Sequence, residues 1–123
     1  MKKNLIVFLV AFVIIATVLG VNCAYSSNKG HETKKTISVT AKMFEFNPKI
    51  ITLRKGVVAT LELTSTDVLH GFNCPALNIR SDMPVGKKVN VTVVPKSKGV
   101  FPFFCDVYCG SGHGDMTGNI VVK

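Results

Sequence analysis

Hydrophobic and polar positions divide the chain into three stretches, of which the first is apolar. Residues 5–21 contain no charged side chain, and Lys2 and Lys3 precede them. The run is longer than the apolar core of most cleaved signal peptides and close to the shortest helix that spans a bilayer. We therefore predict one N-terminal hydrophobic helix within residues 1–22, acting as an uncleaved membrane anchor.

Two other fates stay open for this segment. Cys23 follows the apolar run and could carry a lipid after cleavage of a lipoprotein signal, although Asn22 stands where a small residue is usual. Ordinary cleavage is the third alternative. Lys2 and Lys3 stay inside by the positive-inside rule, so we expect the rest of the chain on the outer face of the cytoplasmic membrane.

A polar stretch comes next, and it has no apolar periodicity. Residues 25–35 read YSSNKGHETKK, which is too polar to bury enough apolar surface to offset the entropy of ordering. We predict a polar linker over residues 23–35 and a folded domain over residues 36–123. His31 lies in this linker and receives no role.

The third stretch consists of short runs rich in Val, Ile, Thr and Phe, separated by Gly, Pro, Asn and Asp. Leu61, Leu63, Ile120 and Val122 alternate with polar residues, as half-buried strands do, and so do the valines of residues 89–93. The runs predict strands at residues 36–41, 49–53, 57–65, 88–94, 99–104 and 117–122. Turns are expected at residues 47–48, 55–56, 84–86 and 97–99. Because helical periodicity is nearly absent, this stretch indicates an all-β, antiparallel sandwich.

The length and charge of the chain exclude some classes of protein and of partner. The chain has 123 residues, which excludes a large multidomain enzyme, and a net charge of +8. After residue 22 it has thirteen basic and seven acidic residues, a net charge of +6. The lysines are solvated or contact anionic lipid. We expect no nucleic-acid partner, because the domain is exported and aromatic residues do not alternate with basic ones.

Candidate chemistry is concentrated in residues 105–116 (CDVYCGSGHGDM), which we call the Cys loop. Cys105, Cys109, His113 and Met116 follow the pattern C-x3-C-x3-H-x2-M, and three glycines allow the backbone to curl. Two thiols, an imidazole and a thioether are soft ligands that favour copper over hard cations. His70 is the candidate for a second imidazole.

Two other interpretations of these residues are open. Cys105 and Cys109 could form a structural disulfide, which is common in exported domains but leaves His113 and Met116 unexplained. Zinc could bind both cysteines, His113 and His70 in a closed tetrahedron, and Met116 would then be a core residue. A fourth cysteine, Cys74, is expected to be a buried free thiol.

Residues 67–72 (DVLHGF), residues 75–86 (PALNIRSDMPVG) and the Cys loop together resemble the copper domain of cytochrome c oxidase subunit II. The same loop pattern is similar to the dinuclear CuA centre of nitrous oxide reductase. The resemblance implies a cupredoxin-like Greek-key β-sandwich that covers nearly all of residues 36–123. Two motifs in the same order on a strand-rich domain make a specific signature.

The resemblance also implies a ligand set for two copper ions. Cys105 and Cys109 would bridge the ions, and His70 and His113 would each bind one of them. Met116 would be the weak ligand of one ion, and the backbone carbonyl of Val107 that of the other. The family more often has Glu at this position, so the surroundings of the metal would differ here.

The function that the resemblance implies is electron transfer within a cytochrome c oxidase-type terminal oxidase. Electrons would come from a donor such as a c-type cytochrome and pass to the haem-copper catalytic subunit, and this chain would have no substrate-converting site of its own. The family's surface Trp is missing, and Phe72 is the aromatic residue expected near the site. The positive net charge favours an acidic donor. The alternatives are a copper-delivery protein and a mononuclear copper carrier.

Overall fold

The computed structural model describes residues 34–123. The predicted helix of residues 1–22 and all but the last two positions of the predicted linker lie outside the described residues. Within residues 34–123, no helix is both long and apolar enough to cross a membrane.

Nine strands and two single-turn 3₁₀ helices make up the domain. The strands are β1 Lys35–Lys42, β2 Glu45–Asn47, β3 Ile50–Leu53, β4 Ala59–Ser65, β5 His70–Cys74, β6 Ile79–Met83, β7 Val89–Val93, β8 Gly99–Phe104 and β9 Thr117–Val122. The 3₁₀ helices are Pro75–Leu77 and His113–Asp115. The all-β prediction is confirmed for the described residues.

The strands form two sheets of mixed direction. One sheet has the order β2-β1-β4-β7 and the other the order β3-β9-β8-β5-β6. β1 pairs in parallel with β4, and β3 pairs in parallel with β9. The prediction of a wholly antiparallel sandwich is therefore wrong. The chain passes between the sheets from β2 to β3 and back to β4, so strands distant in sequence become neighbours that run in the same direction.

The core lies between the sheets, where three phenylalanine rings meet. Phe46 of one sheet lies 5.8 Å from Phe72 and 5.0 Å from Phe103 of the other, measured between ring centroids. The two rings of the second sheet stack at 4.5 Å. Leu61, Leu63, Ile120 and Val122 are buried, as their alternation with polar residues predicts. These contacts join the sheets into one core.

Strands β2, β5 and β6 were not predicted. β5 and β6 contain glycine, asparagine and aspartate, which disfavour strands when taken alone. They pair with each other from His70↔Met83 to Cys74↔Ile79, and Asn73 of β5 pairs with Phe104 of β8. Packing against the core therefore overrides local preference in this region, and it fixes the position of His70.

Candidate metal centre

Five side chains that the sequence analysis selected meet at one end of the sandwich, which we call the site end. His70 begins β5, Cys105 follows β8, and Met116 precedes β9. Cys109 and His113 lie in the Cys loop between these strands. A backbone hydrogen bond from Cys105 N–H to Met116 O, 3.1 Å, closes the base of the loop. Strands of one sheet therefore hold both ends of the Cys loop.

The potential donor atoms lie next to one another. The sulfurs of Cys105 and Cys109 are 4.0 Å apart. His70 Nδ1 lies 3.9 Å from the first sulfur, and His113 Nδ1 lies 3.7 Å from the second. The Val107 carbonyl oxygen lies 3.1 Å from the Cys105 sulfur. Met116 Sδ lies 4.0 Å from the Cys109 sulfur.

These separations fit donors that share a metal ion. Metal–sulfur and metal–nitrogen bonds of about 2.3 and 2.0 Å place two ligands of one tetrahedral ion roughly 3.5 Å apart. The donor atoms of His70, Cys105 and Cys109 all lie within 4.8 Å of one another. The thiols, imidazoles and thioether are the soft set that suits copper, and the two imidazoles adjoin different sulfurs.

The site is buried on one side and open on the other. His70 and Met116 have no exposed surface, and Cys105 is 4% exposed. Cys109 and His113 are half-buried. The Tyr108 ring is 78% exposed and its centroid lies 5.8 Å from that of His113. His113 is therefore the imidazole closer to solvent, beside an exposed aromatic side chain that sequence reasoning missed.

Asp67 orients the buried imidazole. Its Oδ1 lies 2.8 Å from His70 Nε2 and accepts a 2.7 Å hydrogen bond from Val68 N–H. Oδ2 accepts a 2.6 Å bond from Met43 N–H. Burial opposes ionisation of this carboxyl, but the hydrogen bonds from Val68, His70 and Met43 outweigh it and lower the pKa of Asp67 to about 2. Because Nε2 is engaged, Nδ1 is left to face the sulfurs.

Asp67 was quoted in the resemblance but received no role in the sequence analysis. Its spacing of three residues from His70 was the available signal. Nothing in the spacing says that the carboxylate also binds Met43 N–H, which belongs to the turn between β1 and β2.

The sulfurs differ in their surroundings. Gly71 N–H donates a 3.4 Å hydrogen bond to the Cys105 sulfur. Burial, followed by the neighbouring Cys105, raises the pKa of the Cys109 thiol to about 11. A metal that binds Cys109 must therefore displace a tightly held proton.

Three described cysteines are free thiols, namely Cys74, Cys105 and Cys109. The structural disulfide between Cys105 and Cys109 is not formed. Cys74 is fully buried at the end of β5, as expected, and burial raises the pKa of its thiol. It behaves as a small apolar residue.

Phe44 is a second aromatic residue at the site end besides Tyr108, and the expectation for Phe72 is wrong. Phe72 has no exposed surface because its ring fills the core between the sheets. Phe44 is half-buried and packs on the Cys loop, where a Cβ at Gly110 or Gly112 would overlap its ring. The missing β-carbons let the Cys loop pack against the turn between β1 and β2.

Comparisons with known proteins agree with this architecture. The family described as a cupredoxin-like domain matches residues 9–122. The chain belongs to the cupredoxin-like domain family. This cupredoxin-like chain is 36% identical over 88 residues to cytochrome c oxidase subunit 2 of Thermus thermophilus, which covers 72% of this chain and 65% of the relative.

A second subunit 2 sequence from Thermus thermophilus matches over 88 residues at 36% identity, which covers 72% of this chain and 52% of that protein. The chain thus spans less than two thirds of the length of these two relatives.

Solved structures share the cupredoxin-like fold at low sequence identity. The periplasmic domain of subunit II of cytochrome oxidase from Bradyrhizobium japonicum superposes with a TM-score of 0.67 at 20% identity, covering 72% of this chain and 83% of that domain. A chain of a heme-copper terminal oxidase dimer has a TM-score of 0.67 at 23% identity, covering 99% and 95%.

Proposed function

We propose that this chain is an electron-transfer protein with a dinuclear copper centre of the CuA type. One observation carries the proposal: two free thiols lie 4.0 Å apart, and each has its own imidazole and its own weak donor beside it. A single tetrahedral zinc ion would use both cysteines and both histidines and leave the Val107 carbonyl and Met116 without a role. The doubled arrangement supports two ions.

Each ligand has a distinct role in this proposal. The Cys105 and Cys109 thiolates would hold both ions, and His70 and His113 would each bind one of them. The Val107 carbonyl and the Met116 thioether are weak ligands. When bound, the copper pair accepts and releases one electron. With every position occupied by protein, no site is left open for a substrate.

The protein's contribution is a rigid arrangement of donors. His70 and Met116 are fully buried, and Asp67 holds the His70 ring from the side away from the sulfurs. Strands β8 and β9 hold the two ends of the Cys loop. A cage that does not rearrange when the charge on the metal changes favours rapid electron transfer.

We propose that the chain works within a terminal oxidase. Its relatives are subunits of cytochrome c oxidase, and one matched structure is a periplasmic domain. In this proposal residues 1–22 anchor the chain, residues 23–35 are the linker, and residues 36–123 lie on the outer face of the cytoplasmic membrane. A c-type cytochrome or another donor delivers electrons, which pass to the haem-copper catalytic subunit. The exposed Tyr108 and half-buried Phe44 mark the face that the donor approaches.

Electron paramagnetic resonance tests the copper centre directly. The full chain in detergent is loaded with copper, and metal is quantified on the same sample. We expect about two coppers per chain and hyperfine splitting from one electron shared over two equivalent nuclei. A single-copper pattern would favour a mononuclear carrier, whereas a silent Cu(I) sample that resists oxidation would favour copper delivery. Tightly bound zinc in place of copper would support a structural site.

Two cysteine variants make a matched pair for this test. Cys109→Ser removes one proposed bridge and should abolish the shared-electron spectrum. Cys74→Ala removes the free thiol that lies outside the site and should leave the spectrum unchanged. If both variants keep the spectrum, the bridging role of Cys109 is wrong.

A further inference from the structure

Arg80 is bound to the Cys loop through a two-pronged ion pair. Its Nε donates to Asp106 Oδ2 over 2.9 Å, and its Nη2 donates to Asp106 Oδ1 over 3.0 Å. Nη1 bonds Asp82, and Asn73 Nδ2 donates to Asp106 Oδ2 over 3.1 Å. Side chains from two neighbouring strands, β5 and β6, therefore bind one carboxylate of the Cys loop through three hydrogen bonds.

Asp106 lies between two residues of the Cys loop that would provide donor atoms to copper. It lies between Cys105, whose sulfur adjoins His70, and Val107, whose carbonyl oxygen faces that sulfur. Its carboxylate lies directly over Gly71, where a Cβ would overlap Oδ1. The Gly71 N–H binds the Cys105 sulfur. A shift of Asp106 would therefore move two donor atoms of the proposed copper centre together.

We infer that Arg80 and Asn73 are positioning residues for the metal centre, which act by clamping Asp106 and thereby fixing the Cys105 sulfur and the Val107 carbonyl. A test of this role by copper release rests on the proposed function. A test by the reactivity of the Cys105 thiol rests on the geometry of the Cys loop alone. Arg80 is suited to the task because its planar guanidinium fixes both oxygens of one carboxylate, which a lysine cannot do.

The clamp, formed by Arg80 and Asn73 on Asp106, differs from a single-contact surface ion pair because three hydrogen bonds hold one carboxylate. The Asp106 side chain is only 22% exposed, and the Arg80 side chain is 45% exposed. For comparison, Lys88, just before β7, binds Glu62 of β4 through a single 3.0 Å contact, with the lysine 68% and the glutamate 23% exposed. That pair lies on the other sheet and touches no residue of the Cys loop, so it is the matched control.

Copper release tests the clamp in the full, detergent-solubilised chain. The reduced protein is mixed with the Cu(I) chelator bathocuproine disulfonate, and the release rate is measured for Arg80→Met, Asp106→Asn and the double variant. We expect each single variant to release copper about 10- to 100-fold faster, as loss of residues that support metal ligands usually does. The double variant should be no faster than the singles, because both act through one contact. Lys88→Met should stay within about twofold of wild type.

A second readout needs no metal. In the metal-free chain, alkylation of Cys105 by iodoacetamide, followed by mass spectrometry, should be about tenfold faster in Arg80→Met than in wild type. Alkylation of Cys74 should not change, which shows that the domain stays folded. The positioning role of Arg80 is wrong if Cys105 in Arg80→Met reacts at the wild-type rate, or if the variants release copper at the wild-type rate. If wild type lacks the dinuclear spectrum but Arg80→Met still exposes Cys105, the proposed function fails and the clamp stands.

Discussion

At the scale of the residue, Asp67 connects the two sheets through the metal site. It follows β4 of one sheet, and it binds the His70 ring at the start of β5 in the other. The same carboxylate accepts hydrogen bonds from Met43 and Val68 N–H groups. One side chain thus fixes an imidazole and the turn between β1 and β2 at once.

Asp67→Ala should destabilise the metal-free protein. The substitution leaves His70 Nε2, which is fully buried, without its partner, and an unsatisfied buried group costs about 1–3 kcal/mol. We expect urea denaturation to show a free energy of unfolding lower by about 2 kcal/mol. Glu45→Ala, which breaks an exposed pair with Lys42, is the control and should change it by less than about 0.5 kcal/mol. Equal stability of the two variants would contradict the role of Asp67.

At the scale of the element, the Cys loop and the turn between β1 and β2 form one packed unit. The Phe44 ring lies against Gly110 and Gly112, and a Cβ at Gly112 would overlap the base of that ring. A ring that is blocked near its attachment to the backbone cannot escape by a small rotation. The packing therefore depends on the absence of a side chain at this position.

Gly112→Ala should loosen this unit, and Gly114→Ala should not. A Cβ at Gly114 meets no atom within 4 Å, although both glycines lie in the Cys loop. Overpacking typically costs about 1–3 kcal/mol. We expect thermal unfolding of the metal-free chain to show a lower melting temperature for Gly112→Ala alone. A Gly112→Ala protein that melts like Gly114→Ala would mean that Phe44 can move aside freely.

The Cys loop also explains how much of the site could be predicted. Cys105, Cys109, His113 and Met116 are close in sequence, so their spacing alone indicated a common site. His70 was selected as the candidate second imidazole, although its strand was missed because Gly71 and Asn73 are unfavourable in strands. The Arg80–Asp106 pair joins positions 26 residues apart and has no local pattern. Strand pairing across the fold determines such contacts, and a single sequence does not display it.

At the scale of the whole molecule, charge is distributed unevenly between the two ends of the sandwich. The end opposite the site is tied together by backbone hydrogen bonds from Lys35 to Val58, from Lys55 to Lys123 and from Gly56 to Pro95. Basic residues gather there and in the adjoining turns: Lys34, Lys35, Arg54, Lys55, Lys96, Lys98 and Lys123. The acidic residues Asp67, Asp82, Asp106 and Asp115 lie toward the site end together with the basic residues Lys42, Arg80, Lys87 and Lys88, so charges of both signs are mixed there. The surface that a partner meets at the metal centre is therefore less basic than the net charge of +6 after residue 22 suggests, and an acidic donor stays a prediction.

The rate of electron exchange with a small anion tests whether charges at the two ends of the sandwich affect the metal centre differently. β4 alone runs for seven residues between the two ends, or about 20 Å, so charge reversal at the basic end should act weakly on a reaction at the site. With hexacyanoferrate(III) as the oxidant of the reduced protein at about 0.1 M ionic strength, where the Debye length is about 10 Å, Lys55→Glu should change the bimolecular rate less than about twofold. Lys87→Glu makes the same charge change near the site end, since Gly86 N–H binds Ser65 O at the end of β4.

Lys87→Glu should slow the reaction about threefold, and salt near 1 M should abolish the difference between the two variants. The contrast depends on position, because both variants have the same net charge. If Lys55→Glu slows the reaction as strongly as Lys87→Glu does, the net charge of the whole domain governs the encounter. The prediction of an acidic donor would then gain support. If only Lys87→Glu is slow, a donor has to match the local surface around Tyr108 and His113, where an exposed aromatic ring adjoins a half-buried imidazole.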